Sequence, residues 1–126
     1  MRSSTYTGEY RAGTGFDAPN PPPQAHARVT TAHDLGRALY RFQRDYPIAL
    51  RYLLLSWPGE SLVRGGFPRG TPVAEKDGWI SDMRGSAALA YLPSGPKIVV
   101  VLTYRPHLDV RAARRLGTRV ARLVSP

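Results

Sequence analysis

The chain has 126 residues, 42% of them hydrophobic, which suits a single domain with one modest core. It carries 18 basic against 9 acidic residues, a formal net charge of +9, and no cysteine, so disulfides, cysteine–zinc sites and thiol chemistry are excluded. Only Lys76 and Lys97 are lysines, and an Arg, Ala, Gly and Pro bias of this kind reflects base composition as much as an anionic partner.

Residues 1–29 show neither a helical nor a strand period and contain "APNPPP", which resists both. They read as a long irregular segment. From Val29 the pattern changes: Leu35, Leu39, Phe42 and Tyr46 recur at helical spacing, Thr31 with Asp34 resembles a capping start, and Pro47 supplies a break. A second short helix is expected over Ile48 to Leu55, followed by "WPGESLVRGGFPRGTP" as a turn-rich connection.

Three strands are predicted next, at Val73–Ile80, Ser86–Leu92 and Lys97–Tyr104, joined by "SDMR" and by "PSGP". A last helix is expected from Leu108 to Val124, with Ala113, Leu116, Val120 and Leu123 as its apolar stripe and its arginines mainly off it. Loop, helices, antiparallel meander and helix make an α+β order. The N-terminus as written has no apolar signal region, which implies a cytoplasmic chain unless a longer precursor carries it outward; the longest apolar run, "IVVVL", is too short to span a bilayer.

Several segments, in this order and with short gaps, resemble the C-terminal part of class A β-lactamases and related penicillin-recognising serine hydrolases. "TTAHDLGRAL" is similar to the helix after that family's omega loop, and "GFPRGTPVAEKDGWISD" to the approach to its third strand with the Lys-Thr-Gly motif. "MRGSAALAYLPSGPKIVVVLTYRP" looks like its last two strands, and the final helix matches in place and type. On this resemblance, residues 1–29 are an omega-loop-like segment and residues 30–126 the C-terminal part of a β-lactamase/transpeptidase-like fold.

The resemblance implies roles. Lys76 stands for the motif lysine beside the active site, Gly78 lets a substrate backbone approach, and the Trp79 backbone N–H contributes to an oxyanion hole. Arg84 resembles the fourth-strand arginine that contacts the substrate carboxylate. Asp77 fills the Thr slot, placing a carboxylate in a substrate-binding position. Two like charges about 4 Å apart at an effective dielectric near 20 repel by about 4 kcal/mol, and Asp77 also has the option of pairing with Lys76.

The family's Ser-x-x-Lys nucleophile and Ser-Asp-Asn loop have no counterpart in their proper places. Ser94-Gly-Pro-Lys97 matches the letters of the first, but Gly-Pro in a strand-to-strand turn cannot set serine and lysine one helical turn apart. Ser81-Asp82-Met83 falls on the wrong side of Lys76, and Asp17 with Asn20 is a poor match to the family's deacylating glutamate. The expectation is half an active site, inactive alone, with Met1 internal to a longer protein or the gene truncated.

No cofactor is implied, and His26, His33 and His107 lack metal-ligand spacing. A β-lactam or cell-wall peptide is the expected partner once an N-terminal half completes the site. The strand Lys97–Thr103, nearly uncharged, is expected to self-associate through an open edge. The alternative, a basic module for nucleic acid or another polyanion, rests on charge alone, without a nucleic-acid-binding motif.

Overall fold

The computed structural model describes residues 30–55, 59–80 and 82–125, so the expectations for residues 1–29 and Ser81 lie outside the described residues. In chain order these residues form α1 (Ala32–Asp45), α2 (Pro47–Leu55), a 3-10 turn at Arg64–Gly66, β1 (Val73–Ile80), β2 (Met83–Leu92), β3 (Gly95–Tyr104) and α3 (Val110–Leu123). The strands make one antiparallel sheet in the order β1-β2-β3. The α+β architecture is the one expected, and β1 has the predicted bounds.

Local chemistry accounts for the boundaries. Thr31 caps α1 by accepting the Asp34 N–H on its hydroxyl at 3.1 Å, and Pro47 opens α2 at a position where no backbone N–H is needed. Asp109 caps α3 in the same way, accepting from the Arg111 N–H at 2.8 Å. The β2–β3 hairpin turns on Pro93 and Ser94, closing on the Leu92–Gly95 pair, where a φ of 107° requires the glycine.

The sheet carries a core on each face. On one, α3 and the 3-10 turn cover Val73, Ala88, Ala90, Leu92, Val99 and Val101 with Leu62, Val63 and Phe67. On the other, Leu39 of α1 and Leu50 of α2 cover Ala74, Ala87 and Leu89. Three expectations are corrected. The connection read as turns is half core, because Leu62, Val63 and Phe67 close one end of the sheet. Phe42 and Tyr46 lie outside the cluster that Leu35 and Leu39 join; they are 47% and 64% exposed, with their rings tilted at 58° to each other and centroids 6.1 Å apart. The buried residues of α3 are Ala113, Gly117 and Ala121, while Leu116 and Leu123 face outward. Small residues win that face because the helix backbone lies against residues 62–66: a Cβ on Gly117 would stand 2.5 Å from Leu62 O.

Candidate functional site

The β1–β2 register decides what the outer edge of β1 presents. Tyr91 donates its N–H to Pro72 O at 3.0 Å, one step beyond the Val73–Ala90 pair. Hydrogen-bonded pairs alternate in an antiparallel ladder, so Ala74, Lys76 and Gly78 bond to β2 through their backbone. The N–H and C=O groups of Glu75, Asp77 and Trp79 therefore point away from β2, along the sheet's edge. Side chains alternate as well. Ala74, Lys76 and Gly78 lie on the α1/α2 face, and Val73, Glu75 and Asp77 on the α3 face.

Lys76 is exposed, and its Nζ donates to the outward Asp77 carbonyl. The option of an ion pair with the Asp77 carboxylate is not taken, because consecutive side chains of a strand leave from opposite faces. Among the described residues nothing lies within 4 Å of where a Gly78 Cβ would stand. Trp79 is partly exposed and directly opposite Arg84, which is half-buried and donates Nη1 to Met83 O at 2.9 Å. Lys76 and Arg84 thus leave the sheet from opposite faces.

Beneath that edge lies a buried polar cluster that the sequence analysis missed. Glu75 and Asp77 are only 1% and 6% exposed. Ser61 Oγ donates to Glu75 Oε1 at 2.6 Å and accepts the N–H groups of Val63 and Arg64. Arg64 reaches Glu75 Oε2 at 3.4 Å and Val73 O at 3.1 Å. Ser86 Oγ donates to Asp77 Oδ1 at 2.5 Å and accepts the Leu62 N–H at 2.9 Å, while Asp77 Oδ2 is buried with no hydrogen-bond partner among the described residues. Burial, and then the neighbouring Asp77 carboxylate, push the Glu75 carboxyl above its ordinary value against the Ser61 hydrogen bond. The available signal was two acids at i and i+2 inside an apolar strand, with a serine across from the second.

The look-alike motifs resolve. Ser94 lies in the β2–β3 turn and Lys97 on β3, the far edge of the sheet from Lys76. Asp82 holds the end of β3, with its carbonyl accepting Arg105 N–H at 3.0 Å and Oδ1 accepting His107 N–H at 3.1 Å. Among the described residues no group of three or more His, Cys, Asp or Glu side chains could hold a metal ion, and no helix is long and apolar enough to cross a membrane.

A three-stranded antiparallel sheet with helices on both faces and a Lys-x-Gly edge strand defines the C-terminal part of a β-lactamase/transpeptidase-like fold. The family model described as "Beta-lactamase enzyme family" matches residues 5–125, and the chain belongs to that family. Solved structures agree in fold. PBP-A superposes with a TM-score of 0.67 at 22% identity, over 85% of this chain and 43% of its own. A variant of the last common ancestor of Gram-negative class A β-lactamases, bound to a nitrobenzotriazole transition-state analogue, gives 0.66 at 21% identity, over 81% and 42%. A β-lactamase from Streptosporangium roseum gives 0.67 at 22%, over 83% and 45%. The chain thus spans less than half the length of these neighbours. No curated protein matches it.

Proposed function

We propose that β1 is the sheet-side wall of a site that recognises β-lactams or related cell-wall peptides for acyl transfer to a serine. The observation that carries this reading is the edge geometry. The Trp79 N–H is directed away from β2, where a developing oxyanion needs a fixed donor. Gly78 leaves room for a ligand backbone, and Lys76 puts a positive charge along the same edge. Arg84, across from Trp79, is the second candidate for a substrate carboxylate. A PBP-A mutant has been solved as its acyl-enzyme with penicillin G, and it shares this fold over 85% of the present chain.

Asp77 takes a different part from the one its sequence position implies. Its carboxylate is turned into the α3 face and holds β1 to β2 through Ser86, so its contribution to a ligand site is the position of the strand. The 126 residues supply recognition and oxyanion groups; the nucleophile has to come from a Ser-x-x-Lys helix that this sequence does not contain.

Backbone amide spectra of the chain, titrated with penicillin G to about 10 mM, test the reading in the weak-binding range. Gly78 and Trp79 amides should shift, and Lys76→Ala should weaken the response without changing the fold. No shift at these amides in a folded chain counts against it. Intact-mass measurement should show no acyl adduct, since Lys76 and Lys97 are the chain's two lysines and among the described residues neither is hydrogen-bonded to a serine.

A further inference from the structure

One oxygen of the buried Glu75–Asp77 cluster has no donor among the described residues. The two acids stand two residues apart on one face of β1, about 7 Å between Cα atoms. Ser61 takes the N–H groups of Val63 and Arg64 on its oxygen and gives its single hydrogen to Glu75 Oε1. Ser86 accepts the Leu62 N–H and gives its hydrogen to Asp77 Oδ1. Neither hydroxyl has a second hydrogen for Asp77 Oδ2, which is the oxygen left over.

The charges that face the pair do not supply the missing donor. Arg64 Nε, from the 3-10 turn, is 3.4 Å from Glu75 Oε2, longer than the ~2.7–2.9 Å of a close ion pair, and its Nη2 is on Val73 O. Arg84, on the same face of β2 as Ser86, gives Nη1 to Met83 O. Glu60 engages Arg114 at 3.0 Å. Ala113, Gly117 and Ala121 of α3 and Val99, Val101 and Thr103 of β3 bring no charge to this face. Lys76 leaves from the opposite face and donates to the Asp77 carbonyl. An ionised Glu75 would set a second buried carboxylate against Asp77, whereas a protonated one provides an O–H. Burial, and then the neighbouring carboxylate, favour the protonated form.

We infer that Glu75 holds a proton and donates it to Asp77 Oδ2, and that this acid pair is a pH-responsive clamp on the Gly78–Trp79 edge of β1. The clamp acts through the backbone. Asp77 carries the outward carbonyl that takes Lys76 Nζ, and Gly78 and Trp79 follow it directly in the strand. Loss of the proton turns a hydrogen bond into a repulsion between two buried carboxylates, which loosens Asp77 and, with it, the outward Trp79 N–H. Control of ligand recognition by pH rests on the proposed role of β1; the place of the proton does not.

Carboxyl-carbon and amide spectra of the isotope-labelled whole chain, followed from about pH 4 to about pH 9 with and without penicillin G, test both parts. The Glu75 carboxyl should remain protonated above the ordinary glutamate value of about 4.3. In the free chain the Asp77 carboxyl and the Gly78 and Trp79 amides should shift at the midpoint that Glu75 shows. Glu75→Gln should remove that step from the edge amides. Asp77→Asn, which takes away the like charge and offers an amide donor, should lower the Glu75 midpoint. Penicillin-dependent shifts should weaken above the midpoint in the parent chain and hold steady in Glu75→Gln. A Glu75 carboxyl that ionises at its ordinary value, an Asp77 signal indifferent to it, or edge amides that do not follow it would each overturn the inference. Edge amides that follow Glu75 in a chain with no penicillin response would uphold the clamp and count against the recognition reading alone.

Discussion

Ser86 sits directly across the β1–β2 ladder from Asp77, and its hydroxyl donates to Asp77 Oδ1 at 2.5 Å while accepting the Leu62 N–H at 2.9 Å. The pair occupies one of the ladder's non-hydrogen-bonded positions, where opposed side chains approach most closely. One hydroxyl thus ties the edge strand to the centre of the sheet and to the loop that closes the core. Ser86→Ala would leave a buried carboxylate oxygen and a buried N–H unsatisfied together. We expect a loss of about 2–4 kcal/mol in urea unfolding. Asp77→Asn, which keeps an acceptor for Ser86, should cost much less.

Glu75 gives stability a pH dependence whose sign is fixed. Its folded value is raised, chiefly by burial, so the folded state holds a proton that the unfolded chain releases near the ordinary glutamate value of about 4.3. Its contribution is fully present below that value and is lost as pH rises through the folded value. Melting temperature should therefore fall over this window. Glu75→Gln, which keeps an acceptor for Ser61 and places an amide donor beside Asp77, should flatten the profile. An unchanged slope in the variant would assign the dependence to other groups.

Two glycines should behave in opposite ways. Gly117→Ala places a methyl group 2.5 Å from Leu62 O and 2.7 Å from Leu62 Cβ, and backbone contacts of that kind do not yield cheaply. The overlap should outweigh the roughly 1 kcal/mol that alanine gains over glycine in a helix, lowering the thermal midpoint. Gly78→Ala meets nothing within 4 Å among the described residues, so the melt should barely move while the penicillin-dependent amide shifts shrink.

The far edge of the sheet bears on association. Arg105 donates its N–H to Asp82 O, so the same alternation turns the backbone groups of Ile98, Val100 and Leu102 away from β2. Among the described residues no strand pairs with them, and an open groove of about 370 Å³ between α1 and β3 lies alongside. We expect concentration-dependent association in sedimentation at micromolar concentration. Leu102→Lys should reduce it. Leu102 is the better site than Val100, which packs within 3.9 Å of the position of a Gly36 Cβ under α1. A monomer across that range would exclude the open edge as a driving surface.

The sequence by itself determined the order and type of the elements, because period, caps and turn residues are local. Thr31, Pro47 and the Pro93–Gly95 turn act within a few residues of where they stand. It also placed Lys76, Gly78 and Trp79 on the strand that carries the family's Lys-Thr-Gly motif, through the resemblance of whole segments; that this strand is an edge came from the sheet order. Only the tertiary structure decided which face each residue uses. Pattern alone favoured Leu116 and Leu123 over Gly117 and Ala121, because hydrophobicity counts side chains whereas packing counts the distance between backbones. Asp77 looked like a ligand-facing residue beside Lys76. Alternation turned it to the other face, and a partner nine residues away, Ser86, became its neighbour when β1 and β2 paired. Contacts across a ladder depend on register, and register is set by the whole sheet.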